Sequence, residues 1–338
     1  MRLDAYTHFI PPKALDRLTA VAGDHKDIGK RMRGVRSLYD LDVRKKVVDQ
    51  FPDYAQIVSY PMPPLENFAK PDQLDELLKL VNDGFAELCA KEKDRFPGWV
   101  AQASLAAPDA SVREVERAFK NGALGVQIYT NVAGKPLDRP EYEQFFAAMD
   151  KLGKPIWLHP SRSAAHPDYM DEKSSLYEMW WALGWSYETA AAVARLAFSK
   201  VLDKYTNLKI LLHHFGGIIP MLEGRLGAGL DQLGTRTSDA DYVALRNSLK
   251  RRPLDYFQKV PWVDSATFGG RGAMLCGLEF YPHDRVVFAS DCPFDPEGGP
   301  GYIRETIKII DSLDLPKDKR DDIYFRNFER MVGVKIVK

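Results

Sequence analysis

The stretch DAYTHFIPP, Asp4 to Pro12, opens the chain with an apolar, extended run that stops at two prolines. Proline cannot continue a central strand, so the run has a defined end. Residues two apart on a strand face the same way, which puts Tyr6 and His8 side by side. A phenol and an imidazole together at the end of a first strand mark either a site or a packed strand end. The remaining strand ends decide between the two.

Seven more apolar runs follow, each with a helical pattern behind it. They are YAQIVSYP (Tyr54 to Pro61), WVAQASLAA (Trp99 to Ala107), ALGVQIYTN (Ala123 to Asn131) and PIWLHPS (Pro155 to Ser161), then KILLHHF (Lys209 to Phe215), VPWVDSA (Val260 to Ala266) and RVVFASDCPF (Arg285 to Phe294). The runs are continuous rather than alternating, as in strands buried on both faces. Eight strand-plus-helix units predict an α/β chain folded as a (β/α)8 TIM barrel with inserted loops and C-terminal helices. One domain over residues 1–338 is the simplest organisation. Asp40 is placed to cap a helix reaching about Gln50. Residues 162–185 read as an irregular aromatic insertion, Ser186 as the N-cap of the next helix, and Ile218 to Leu230 as the helix behind the sixth strand.

Lysine plus arginine and aspartate plus glutamate number 47 each, so bulk charge gives no reason to expect nucleic acid or an anionic membrane as partner. No apolar run reaches the ~18 residues of a membrane span. The start of the chain lacks the pattern of a secretory signal. Cys89, Cys276 and Cys292 have no CxxC spacing and read as reduced thiols of a cytoplasmic protein.

In a barrel of this kind the active site lies at the C-terminal ends of the strands. His8 ends the first run, His159 the fifth, His213 and His214 the sixth, and Asp291 the eighth. Four strands thereby aim imidazoles and a carboxylate at one mouth. Two histidines and a carboxylate suit zinc or another divalent ion with an open position.

The ordered set of segments resembles the decarboxylase branch of the amidohydrolase superfamily, typified by 2-amino-3-carboxymuconate-6-semialdehyde decarboxylase and γ-resorcylate decarboxylase. The likeness runs through LDAYTHFIP (Leu3 to Pro11), GALGVQIYTNVAGKPLD (Gly122 to Asp138), LGKPIWLHP (Leu152 to Pro160), LKILLHHFGGIIPMLEGR (Leu208 to Arg225), DRVVFASDCPFD (Asp284 to Asp295) and NFERM (Asn327 to Met331). It implies metal ligands at His8, His159 and Asp291, and an acid/base histidine at His214, which precedes Phe215-Gly216-Gly217. His213 is then left to support or packing. The resemblance also implies a substrate-binding role for Arg225, which in some relatives reaches a neighbouring subunit's substrate, and for Arg33 and Arg36 in the basic loop that also holds Lys30 and Arg31. Tyr6 departs from the pattern, because relatives carry His or Glu there as the first ligand. It binds as phenolate, or stands off while water takes the position, or leaves the metal weak or missing; the second of these is the preferred reading.

The resemblance implies a metal-dependent, nonoxidative decarboxylase of an aromatic or unsaturated carboxylic acid, a homodimer or larger assembly, and zinc, with manganese as the alternative. His214 would act as general acid and Asp291 would share the site's chemistry. Trp180, Trp181 and Trp185 either wall a pocket for a flat substrate or pack the insertion. Two other functions use the same residues: metal-assisted hydrolysis or hydration of a lactone, amide, C–C or double bond, and a metal-free, non-catalytic relative.

Overall fold

Apolar runs that must be buried on both faces need helices on one side and a filled interior on the other. The computed structural model, which describes residues 1–23, 32–236 and 240–337, meets that need with a (β/α)8 barrel. Its strands are β1 (Arg2–His8), β2 (Tyr54–Ser59), β3 (Gly98–Gln102), β4 (Gly125–Tyr129), β5 (Ile156–His159), β6 (Ile210–Leu212), β7 (Trp262–Asp264) and β8 (Val286–Val287). They pair in parallel, in chain order. A two-residue antiparallel pair, Asn131–Val132 with Lys135–Pro136, follows β4.

The outer layer includes α1 (Pro12–Ala22), α2 (Leu41–Val48), α3 (Pro71–Lys91), α4 (Pro108–Lys120), α5 (Glu143–Leu152), α6 (Gly184–Phe198), α7 (Arg271–Phe280) and α8 (Pro300–Asp311). In α3 the buried residues Leu74, Leu77, Leu78, Val81, Phe85 and Leu88 recur every three or four positions, which gives one apolar stripe toward the sheet. Asp40 caps α2 as expected, accepting the Val43 N–H at 3.1 Å.

Alternate strand residues fill the interior: Leu3, Ala5, Ala55, Ile57, Val100, Trp157, Leu211, Trp262, Val287 and Ala289 form one apolar cluster, closed below by Phe328, Met331 and Val332. Trp157 reaches across to β1 and donates its indole N–H to the Ala5 carbonyl at 3.0 Å. Gly125 makes room for it, since a Cβ there would lie 2.2 Å from the Trp157 ring. In β1 the pairing register shifts between Asp4 and Thr7. Such an irregularity breaks strict alternation. Leu3 and Ala5, and then Tyr6, thereby all join the interior cluster.

The barrel closes between β1 and the β8 segment. Ala5 N–H donates to Phe288 O at 2.8 Å, Asp291 N–H to Tyr6 O at 3.2 Å, and His8 N–H to Cys292 O at 2.8 Å. Asp4 reinforces this seam from within. Its carboxylate accepts the Ser290 N–H at 3.1 Å, the Ser290 hydroxyl at 2.5 Å and the Tyr54 hydroxyl at 2.6 Å. Burial lifts the Asp4 carboxyl to about 6 against the pull of those donors.

Two expectations change. The segment behind β6 is not one α-helix: it runs as a 3₁₀ turn (Pro220–Leu222), a π-turn (Arg225–Gly229) and a second 3₁₀ turn (Leu230–Gln232). Gly224, Gly227 and Gly229 explain this, because glycine costs a helix about 1 kcal/mol per residue. The helix expected from a Ser186 cap starts earlier, at Gly184, and has no side-chain cap. Replacing Asp4 with alanine strands the Ser290 and Tyr54 donors in the interior, so Asp4→Ala should lower stability by about 3 kcal/mol in urea denaturation.

Candidate metal centre

His8, His159 and Asp264 are the last residues of β1, β5 and β7, His213 directly follows β6, and Asp291 lies just past β8. The chain turns sharply at two of these ends. Asp291 has φ 63°, and His214 and Phe215 have φ 57° and 51°. L-residues rarely adopt that left-handed region, and proteins keep such strain mainly at functional positions.

The hydrogen bonds behind the histidines fix what faces the mouth. Nδ1 of His8 lies 3.1 Å from Tyr60 O, that of His159 2.7 Å from Pro160 O, and that of His214 2.8 Å from Ala266 O. A carbonyl oxygen only accepts, so each Nδ1 carries its proton and each neutral ring keeps its lone pair on Nε2. His213 Nδ1 faces a carboxylate instead, Asp264 Oδ2 at 2.6 Å. Asp264 is itself locked, its Oδ1 accepting the N–H groups of His214 and Ala266, each at 3.0 Å.

Asp291 Oδ1 stands 3.0 Å from His8 Nε2 and 3.3 Å from His213 Nε2. His8, His159 and His213 each bring a potential ligand atom into one group whose atoms all lie within 4.8 Å of one another. By the same measure His213, His214 and Asp291 form a second group, so His213 belongs to both. Burial depresses the basicity of His8, and depresses that of His159 further with help from charge on His8 and His213. It also opposes charge on His213, but the Asp264 and Asp291 carboxylates prevail and lift that ring to about 9. Burial and the neighbouring His213 push His214 down to about 4. Burial disfavours the Asp291 carboxylate too, yet His213 and His8 hold it well below its usual range.

The residues fit a divalent cation. His8 Nε2 is buried and has no hydrogen-bond partner among the described residues. An orphaned acceptor beside a buried carboxylate is satisfied by positive charge, and imidazole with carboxylate is a common donor set for zinc and manganese.

A family model described as amidohydrolase matches residues 7–334. The chain belongs to the amidohydrolase family. It is 30% identical over 305 residues to γ-resorcylate decarboxylase of Rhodococcus jostii (strain RHA1), covering 85% of this chain and 87% of that one. It is 27% identical over 328 residues to 2-amino-3-carboxymuconate-6-semialdehyde decarboxylase of Dictyostelium discoideum, covering 91% and 86%. Among solved structures, 5-carboxyvanillate decarboxylase of Novosphingobium aromaticivorans, with bound manganese and 3-methoxy-4-hydroxy-5-nitrobenzoic acid, superposes with a TM-score of 0.82 at 21% identity, covering 99% and 97%. That last likeness is one of fold.

In this amidohydrolase the strand ends bring together His8, His159, His213, His214 and Asp291. His213, which the reading of HHF left to support or packing, lies inside the cluster. His214 is only partly buried and stacks on it with ring centroids 3.6 Å apart. Tyr6 is fully buried and stacks on the other partner of that ring set, His213, at 4.0 Å, and its hydroxyl has no partner among the described residues. Trp185 packs edge-on against His159 at 5.6 Å and joins Met62 and Tyr129, with Trp180 and Trp181 alongside. Arg33, Arg36 and Arg225 are all exposed, and Arg36 reaches Asp40 at 2.6 Å. Lys30 and Arg31 lie outside the described residues.

Asp264 escaped the sequence reading altogether. Its signal is parity: Trp262 and Asp264 share a face, as do Trp157 and His159, or Leu211 and His213. Glu66, past the end of β2, also went unread. Ser104 donates to its carboxylate at 2.9 Å, and burial raises that carboxyl to about 7. A folded-state pKa above the unfolded one means that the native state holds its proton longer. The stability this gives is full below about 4.5 and is lost as pH rises through about 7. Unfolding measured from pH 5 to 8 should therefore show the wild type losing up to about 3 kcal/mol relative to Glu66→Gln.

Proposed function

We propose that the chain is a metal-dependent, nonoxidative decarboxylase of an aromatic or unsaturated carboxylic acid. The observation that carries this reading is the convergence of buried imidazole nitrogens and the Asp291 carboxylate at the C-terminal mouth. The names of the relatives point to the same chemistry. His8, His159 and Asp291 would hold the ion, zinc by the preference of an imidazole-rich set, with manganese as the competing ion. When bound, such an ion supplies a Lewis acid that anchors and polarises the substrate's carboxylate or an adjoining hydroxyl.

The chain's own groups then have distinct tasks. Trp185 and its aromatic neighbours present a flat wall beside His159, suited to an aromatic ring. His214 keeps its Nδ1 proton on the Ala266 carbonyl, which leaves Nε2 to take up a proton and deliver it to the ring carbon that loses CO2. Asp291 keeps its negative charge beside His8 and His213, so it serves as an anion and not as a proton donor. Arg33 and Arg36 are assigned to substrate approach, and Arg225 to the site of a neighbouring copy. The exposed apolar side chains of the aromatic insertion, Tyr169, Tyr177 and Leu183, are the assigned contact of a homodimer.

Incubation of zinc- or manganese-loaded protein with a panel of hydroxybenzoate-type acids should release CO2. A product carrying water-derived oxygen, without CO2, would replace this reading with hydrolysis. His159→Ala and Asp291→Ala should lose the ion, measured by elemental analysis. His214→Ala should keep it and lose turnover by a factor of ~10²–10⁴; a fully active, metal-replete His214→Ala protein would remove His214 from the chemistry. Light scattering should give at least twice the single-chain mass.

A further inference from the structure

We propose that His213 is a further ligand of the metal centre, that Tyr6 serves it as a stacking partner and not as a ligand, and that Asp264 is the residue that positions it. This rests on the metal-dependent reading above and changes its ligand set to His8, His159, His213 and Asp291.

Three observations carry it. The first is convergence. His213 brings a ligand atom into the same 4.8 Å group as His8 and His159, and its Nε2 is 3.3 Å from Asp291 Oδ1. The ring therefore meets all three of the other donors, and Nε2 is the atom on the Asp291 side.

The second is orientation. Asp264 takes the Nδ1–H of His213 at 2.6 Å while two backbone N–H groups hold Asp264 itself. A carboxylate behind an imidazole is the arrangement that fixes a ligating histidine's tautomer, turns its far nitrogen to the ion and raises its basicity. His8 has the Tyr60 carbonyl and the Ser59 hydroxyl behind it, and His159 the Pro160 carbonyl, all of them neutral groups. Of the three grouped rings, His213 is thus the one backed by full negative charge.

The third is what Tyr6 does instead. Its ring lies over His213, 4.0 Å between centroids and 30° from parallel. A side chain stacked flat on an imidazole holds that imidazole in place. Its contribution is the ring face, while the ligand atom comes from the next barrel strand but four. An imidazole ligand from His213 also keeps the centre rich in nitrogen, a donor set that suits zinc better than manganese.

The test uses full-length protein stripped by a chelator and titrated with zinc alone and with manganese alone, followed calorimetrically, with circular dichroism to check folding. Wild type and Tyr6→Phe should each bind one ion per chain, with affinities within about threefold of each other. His213→Ala should weaken binding ~100-fold or more, and Asp264→Asn ~10–100-fold. If His213→Ala does not fold, His213→Asn, which keeps a polar side chain of smaller size, takes its place. The visible spectrum of the cobalt-substituted protein should change in His213→Ala and stay unchanged in Tyr6→Phe. Binding by a folded His213 variant within about threefold of wild type, with His159→Ala having lost the ion, would overturn this assignment and leave the metal reading standing. Loss of the ion in Tyr6→Phe would overturn it in favour of a phenolate ligand. Wild type that takes up neither ion would overturn the metal reading and this inference together.

Discussion

The seam between β1 and the β8 segment is the constraint on which the rest of the molecule depends. A parallel barrel has no hairpin to join its first and last strands, so closure relies on contacts between the two ends of the chain. Here three backbone hydrogen bonds and the buried Asp4 carboxylate make that junction. The same few residues carry His8 on one side and Asp291 on the other. Closing the barrel and bringing an imidazole within 3.0 Å of a carboxylate are therefore a single structural event. A buried Asp4 whose charge is disfavoured is the cost of this design, offset by donors from Ser290 and Tyr54.

The cluster also divides labour among chemically similar groups. Carbonyl oxygens behind His8, His159 and His214 settle their tautomers without adding charge. Asp264 settles that of His213 and adds it. One carboxylate thus distinguishes two adjacent histidines, accepting from the ring of His213 and from the backbone of His214. The left-handed backbone at His214 then turns the chain, so that neighbouring residues stack their rings at 3.6 Å.

Much of this was legible in the order of residues. Eight apolar runs with helices behind them specify a barrel, and a barrel puts its chemistry at strand ends, where His8, His159 and Asp291 stand. What stayed hidden has a common cause. KILLHH is apolar without alternation, because a strand covered by helices and lining an interior buries both faces. Nothing in such a run says whether Leu211 or Leu212 looks inward, so nothing says whether His213 or His214 does. Asp264 was obscured in the same way within VPWVDSA. In β1 the register shift between Asp4 and Thr7 breaks the period-two rule, placing Ala5 and Tyr6 together in the interior. The three glycines after Glu223 turned an apolar, helix-like pattern into a string of tight turns.

The donors at the mouth come from both ends of the chain and from its middle, and no contiguous segment contains more than two of them. An ion held by them binds the closed barrel and has no comparable site on an open chain. Mass action would then make such an ion a clasp: its free concentration, relative to its dissociation constant, would add to the free energy of keeping the seam shut. Supply of metal would in that way govern how long the folded protein persists as well as what it does.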